Sequence, residues 1–585
     1  MCDEHPGIGV RGSGTIPTLF GADFGQMSVE PGRESGAKPG VERNAGPARS
    51  PVLETRFAYR EPLTEKYPNL AGVSEELVRC IKCGMCRAVC PTLIETVSES
   101  QGARGRVSLV EAVFDGRLTL SDIFDDRIST CLNCKACIQA CPSGVRVDGI
   151  ILAARAELVS RGRLPFVKRL ILRGLLKRGR LLPPVGKMAS LMQRALLALS
   201  PKGSALRLLL PAVRISRERH LPVFAARSFT ERVSGRVGPH AGVGPGSTAA
   251  TGPEPQASIV AGDTRPVASK KPQLKVAYFV GCSANLIYTS IAFSVMDVLS
   301  SLGVEVFVTK EQGCCGLPVL NAGDFVTARG MARKNVEMLR TLVDRERLDA
   351  IVVSCSSCGL SLKREYSSVL GIDTSGLSER VMDISEFIVR KVGLERFGAL
   401  LEASSVLRQP AGEVAGTLPP AAASATTAGR AAVPGTGGLN VAVAETGEAP
   451  HELVVTYHDP CHLRRGQGIK DEPRQIISIL PGIKFIEMRE PDRCCGGAGL
   501  YSFTQYEMSK AIAAHKVRAI VETGASVVLT GCASCIMQIQ DALRQAGCSH
   551  RVTHVIEFVS ERLRGETVKG SAALPAGSAS CSKKH

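Results

Sequence analysis

Arg79-Cys80-Ile81-Lys82-Cys83-Gly84-Met85-Cys86-Arg87-Ala88-Val89-Cys90-Pro91 decides the first half of the fold. Its spacing is Cys-x₂-Cys-x₂-Cys-x₃-Cys-Pro, and it returns as Cys131-x₂-Cys134-x₂-Cys137-x₃-Cys141-Pro142. Three thiolates two residues apart on a tight loop reach three irons of one cubane, while the fourth is directed to the other cluster. The spacing predicts one [4Fe–4S] cluster on Cys80, Cys83, Cys86 and Cys141. A second falls to Cys131, Cys134, Cys137 and Cys90. Gly84 lets the first loop turn tightly, and Pro91 and Pro142 limit continuation of the local turn. Zinc takes four ligands per site and has no use for two copies of this pattern.

C-terminal to these motifs, the blocks 273–402 and 452–565 are repeats of each other. The first reads Cys282-x₃₁-Cys314-Cys315-Gly316-x₃₈-Cys355-x₂-Cys358, and the second Cys461-x₃₂-Cys494-Cys495-Gly496-x₃₅-Cys532-x₂-Cys535. Each opens with an apolar run, Val276–Val280 or Leu453–Tyr457, and a second follows at Val304–Val308 or Lys484–Met488. Helical stretches come next at Thr327–Asp344 and Tyr506–Glu522, then strands at Ala350–Val353 and Ser526–Leu529, which end in Cys-x-x-Cys at a helix start. Alternating strands and helices predict two α/β units with parallel sheets. The fold class expected is therefore multidomain: a helical dicluster ferredoxin-type domain, then two repeated α/β cysteine-rich domains. Adjacent cysteines do not close an unstrained disulfide, and thiolates on strand ends and a helix N-terminus suit a metal. Five soft ligands per repeat exceed a zinc tetrahedron, which favours further iron–sulfur clusters over zinc.

The rest of the 585 residues frames these modules. Residues 1–62 read as a disordered arm, 63–160 as the ferredoxin-type domain and 161–225 as a basic helical segment. Residues 226–272 read as a linker, 403–451 as a low-complexity insert and 566–585 as a tail. Of the net charge of +17, fourteen positive charges lie between Arg161 and Arg217, where no acid occurs. Interleaved with leucines, that segment suits either a helix on an anionic membrane surface or helices docked on the ferredoxin domain or a partner. Nucleic acid is not expected, because no aromatic stacking platform accompanies the charge. Without a long uncharged apolar run or a basic-then-apolar N-terminus, the chain is expected in the cytoplasm, with peripheral contact to the inner face of the cell membrane as a second expectation. In that compartment 21 cysteines point to metal rather than disulfides. Cys2, Cys548 and Cys581 fit neither pattern and are expected to be unliganded.

Two smaller features flank the ligands. In His458-Asp459-Pro460-Cys461-His462 a histidine either hydrogen-bonds cluster sulfur or relays a proton, or is a plain surface or turn residue. Gly496-Gly497-Ala498-Gly499 lacks dinucleotide-binding spacing and reads as a turn that lets backbone approach the Cys-Cys site.

The module order resembles that of the iron–sulfur subunit of glycolate oxidase, which also acts in related D-lactate dehydrogenases. The resemblance rests on Arg79–Gly84, Ala103-Arg104-Gly105-Arg106-Val107, Ala140–Val145, His458–His462 and Cys494–Gly499, and covers residues 63–400 and 452–565. It implies a complex in which a separate FAD-containing hydroxy-acid oxidase subunit oxidises glycolate or D-lactate and this chain passes electrons to an acceptor. No stretch of this chain reads as a hydride-transfer site, which fits that division of labour. The same order occurs in heterodisulfide reductase subunits and in the anaerobic glycerol-3-phosphate dehydrogenase iron–sulfur subunit. In the former, Cys-Cys-Gly repeats hold non-cubane [4Fe–4S] clusters that act at the disulfide. A thiol–disulfide oxidoreductase, or an anaerobic glycerol-3-phosphate dehydrogenase iron–sulfur subunit, is thus the alternative reading.

Overall fold

The computed structural model describes residues 61–199, 219, 222–238, 274–406 and 452–565. The expected tail, nearly all of the arm, and most of the linker and insert lie outside the described residues. No helix among the described residues is long and apolar enough to cross a membrane.

The ferredoxin domain is helical because its loops leave only short stretches for regular structure. Helices α1 (Ala103–Phe114) and α2 (Val147–Ser160) supply most of its core. Val107, Val110, Val113 and Phe114 pack with Ile150, Ile151, Ala154 and Leu158. The basic segment follows and includes α3 (Leu182–Leu199). Pro183-Pro184 stand in the first turn of α3, where a missing N–H costs nothing, so they start the helix.

The first repeat contains β1 (Gly235–Val237), β2 (Leu274–Phe279), α4 (Thr289–Ser301), β3 (Val304–Val308), α5 (Phe325–Glu346), β4 (Ala350–Val353), α6 (Ser356–Leu360) and β5 (Val381–Asp383). The second contains β6 (Leu453–His458), α7 (Cys461–Gln467), β7 (Ile483–Phe485), α8 (Tyr506–Val521), β8 (Val527–Thr530), α9 (Ala533–Gln545), β9 (Arg551–His554) and α10 (Val555–Arg564). Sheet orders are β1-β3-β2-β4-β5 and β7-β6-β8-β9. Strands β2 to β5 and β6 to β9 pair in parallel, so the repeats share one topology. The central strands β3, β4 and β8 are buried along their length, as Val-, Ile- and Leu-rich strands covered on both faces must be. Helices α4 and α10 join the two repeats through one apolar core, with Asp297 accepting from Ser560 at 2.5 Å and from Arg564 at 3.0 Å.

Two expectations are corrected. Residues 226–272 are not wholly a linker: Ser228 and Glu231 form a capping box, and β1 pairs antiparallel with β3. Phe229 anchors this stretch, edge-on to Phe293 at 5.0 Å and Tyr278 at 6.2 Å. The second strand of the second repeat is shorter than Lys484–Met488. The Ile486 N–H still reaches Val455 O at 2.9 Å, but Glu490, with φ 49°, turns the chain towards Pro491.

Candidate metal centres

The two ferredoxin loops adopt one backbone path. Lys82 and Asn133, at matching places, have φ of 57° and 54°, and Gly84 and Lys135 have φ of 90° and 62°. One cavity is lined by Cys131, Cys134 and Cys137 together with Cys90 of the other motif. The neighbouring thiols of Cys86 include Cys80 and Cys141; burial pushes Cys86 up first, and the charges of those neighbours add to it. Arg106, buried in the cavity wall, donates to Arg127 O at 2.7 Å, Thr130 Oγ1 at 3.0 Å and Thr92 Oγ1 at 3.1 Å. It places a fixed positive charge beside the thiols. Four thiols of the right parity, walled by apolar side chains and one arginine, fit a cubane. Cys83 is the exposed member of the other set.

In the repeats every cysteine of the pattern lies at the carboxyl edge of its parallel sheet, where open α/β sheets bind ligands. Cys282 follows β2, Cys314-Cys315 follow β3 and Cys355 follows β4; Cys461, Cys494-Cys495 and Cys532 follow β6, β7 and β8. Cys355 and Cys532 are N-cap residues, and Cys358 and Cys535 sit in the first turns of α6 and α9. The helix dipole favours thiolate there. The Cys-Cys-Gly turn needs its glycine: Gly496 has φ 81°, and a Cβ on it would lie 2.5 Å from Ser509 O. A Cβ on Gly497 would lie 3.4 Å from Ser534 O and 3.5 Å from the Cys495 sulfur.

The thiols form two series of contacts, which meet only where Cys494 and Cys495 adjoin in the sequence. Cys134 of the second ferredoxin loop hydrogen-bonds Cys494, which bonds Cys461. Cys495 bonds Cys535, Cys535 bonds Cys532, and Cys532 crosses to Cys355 of the first repeat. From there Cys358, Cys315, Cys314 and Cys282 follow in turn. Hydrogen bonds from Cys314, then Cys358, hold Cys315 well below the ordinary thiol range, and Cys355, then Cys535, do the same for Cys532. Cys495 is lowered by Cys535 first, and by His458 as well. Each repeat thus keeps thiolate character among shared protons, the state a soft metal takes up. Ten convergent thiols, most of them buried, fit iron–sulfur chemistry better than two zinc tetrahedra.

Reasoning from sequence missed several groups that build the site. Lys135, buried, pairs with Asp148 and with Glu365 of the first repeat at 2.8 Å. Arg155 donates to Asn321 O at 2.8 Å and to Ile128 O at 3.1 Å, so it seats α2 on the first repeat. His458 is no turn residue: it is the buried last residue of β6, with one ring nitrogen within 4.8 Å of the Cys495 and Cys535 sulfurs. His462 instead meets Ser357 Oγ at 3.0 Å across the repeats. Cys548 packs in the apolar core of the repeats; Cys2 and Cys581 lie outside the described residues.

Comparison with known proteins agrees with this geometry. A 4Fe-4S dicluster domain matches residues 76–145, and a Cysteine-rich domain matches 276–363 and again 455–540. Fold and site define an iron–sulfur protein with a dicluster domain joined to two cysteine-rich domains. The probable glycolate oxidase iron-sulfur subunit of Bacillus subtilis is 27% identical over 83% of this chain and 94% of its own length. A component of the anaerobic glycerol-3-phosphate dehydrogenase of Escherichia coli is 27% identical over 81% and 96%. A component of the dihydromethanophenazine:CoB--CoM heterodisulfide reductase of Methanosarcina barkeri is 23% identical over 85% and 96%. The chain is thus similar, over most of its length, to iron–sulfur components of several oxidoreductase complexes.

Proposed function

We propose that this chain is the electron-transfer subunit of a complex that oxidises glycolate, D-lactate or both. An FAD-containing partner protein performs the hydroxy-acid chemistry. The observation that carries this reading is the likeness to the probable glycolate oxidase iron-sulfur subunit of Bacillus subtilis, which spans 83% of this chain and 94% of that one. Cys80, Cys83, Cys86 and Cys141 hold one [4Fe–4S] cluster, and Cys131, Cys134, Cys137 and Cys90 the other. The ten repeat cysteines hold further iron–sulfur centres. Bound clusters supply one-electron transfer without bond chemistry at the protein. Two thiol contacts support an order of sites: Cys134 abuts Cys494, and Cys355 abuts Cys532.

The facing Cys355 and Cys532 thiols, at the seam of the repeats, favour one second reading, reduction of a disulfide substrate. A single experiment separates the two. The chain is co-purified anaerobically with its flavoprotein partner and mixed with glycolate, D-lactate, glycerol 3-phosphate or a heterodisulfide. Loss of visible iron–sulfur absorbance with a 2-hydroxy acid supports the proposal. Bleaching by glycerol 3-phosphate alone, or reoxidation of reduced protein by a heterodisulfide alone, overturns it.

A further inference from the structure

The two repeats share topology and cysteine pattern but differ at one buried position. Strand β2 ends on Phe279, paired with Val353, and β6 ends on His458, paired with Thr530. Both lie three residues before the first cysteine of their repeat. Phe279 offers no donor. His458 lies with Cys495 and Cys535, one donor atom from each within 4.8 Å of the others, and all three residues are buried.

The ring is held for this purpose. Its Nδ1 lies 3.1 Å from Pro491 O. A carbonyl only accepts, so Nδ1 donates to it, and Nε2 is the ring atom left to face the two sulfurs. Pro491 O is itself fixed by Asp459 N at 3.0 Å and by Lys516 Nζ at 3.2 Å. Asp459 in turn is clamped by Arg464 at 2.6 Å and Arg474 at 2.9 Å. A carbonyl that takes the far ring N–H is the usual arrangement behind a metal-ligating imidazole.

Resting on the reading that the repeats hold metal centres, we infer that His458 Nε2 is a ligand of the second repeat's centre beside Cys495 and Cys535. The first repeat's centre has sulfur ligands only. The ring adds a neutral nitrogen donor to the same five cysteines, where a sixth thiolate would add a negative charge. The inference makes the two centres chemically unequal, the second carrying a nitrogen donor that the first lacks.

The test uses the full chain, reconstituted anaerobically with iron and sulfide, with natural or ¹⁵N-labelled histidine. Pulsed EPR across a redox titration is expected to show a strongly coupled nitrogen that changes isotope pattern with the label. His458→Phe, which copies the first repeat, removes that coupling and lowers the iron content. His458→Cys restores the iron without the nitrogen signal and lowers the midpoint of that centre. Iron in the repeats without histidine coupling in the wild-type protein overturns the inference while leaving the repeat centres standing. Iron no greater than the eight atoms of two cubanes, with no metal in the repeats, overturns the reading beneath it.

Discussion

Lys135 holds its backbone at φ 62°, where the matching residue of the first loop is Gly84. A left-handed conformation costs a residue with a Cβ about 1 kcal/mol, and here the side chain compensates through Asp148 and Glu365. Removing one partner of a buried pair leaves an uncompensated charge. Lys135→Ala is expected to cost about 3–5 kcal/mol in urea unfolding, and Lys135→Arg markedly less. An Ala variant as stable as wild type would show the pair to be dispensable. The same network sets an acid limit. Burial raises the Asp148 carboxyl, but Lys135 and then Arg146 outweigh it and bring it from 3.8 to about 2. A depressed carboxylate contributes stability that is present above its unfolded value and lost as pH falls through its folded one. The urea midpoint should therefore drop between about pH 4 and 2, and the drop should be smaller in Asp148→Asn. None of this was legible in the sequence, since Lys135, Asp148 and Glu365 are far apart in the chain and each looks like a surface charge. The cysteines were legible because their spacing is itself the chemistry. His458 sat beside a ligand and was still ambiguous, because its burial and the Pro491 contact come only from the fold.

Elements were read best where burial is complete. Val304–Val308 and Ala350–Val353 are continuous apolar runs on both faces, and the strands have those bounds. Strands β1, β5 and β9 went unread, being short and lying at sheet edges where the pattern is weak. The helices after β5 and β9 start alike, with capping boxes on Asp383 and His554. Burial pushes the Asp383 carboxyl up to about 7. For an acid raised in the folded state, stability falls as pH climbs from the unfolded value towards the folded one. Asp383→Asn keeps an acceptor for Ser385 N and should flatten the decline from about pH 4 to 7. An unchanged slope of stability against pH in that variant would count against this assignment. The basic segment resolves partly. Leu164 and Leu172 are buried, and Arg173 pairs with Asp324 at 2.6 Å, so one face docks on the first repeat. Phe166, Leu170, Met188 and Leu191 stay exposed, with Arg169, Lys177, Arg178 and Lys187 also exposed. An anionic leaflet attracts each nearby Lys or Arg with about 1 kcal/mol. Sedimentation with phosphatidylglycerol vesicles should be strong at low salt and weak at high salt, and Phe166→Ser with Leu170→Ser should reduce it. Wild-type protein left in the supernatant at low salt would end the membrane reading.

At the scale of the whole molecule, the ferredoxin domain and the repeats are locked rather than strung together. Lys135 reaches Glu365, Asn133 Nδ2 reaches Asn321 Oδ1 at 2.9 Å, and Arg465 reaches Gln139 at 3.3 Å. Gly323, with φ 87°, lets α2 approach so closely that a Cβ there would lie 2.4 Å from the Arg155 carbonyl carbon. Where the modules meet, Leu132, Cys134 and Ala136 share an apolar cluster with Cys494, Tyr501 and Ile512. This seam makes the effect of one ferredoxin cysteine reach beyond its own loop. Cys134→Ser in the full chain should lower the reconstituted iron content by about four atoms and should perturb the EPR of the second repeat's centre through Cys494. The first repeat, whose thiols make no contact with Cys134 in this series, should keep its signal. Cys83→Ser, at the exposed end of the other loop, serves as the control, because it should lower the iron without touching either repeat. If Cys134→Ser and Cys83→Ser leave identical spectra of the repeat centres, the thiol contact at Cys494 does not couple the modules.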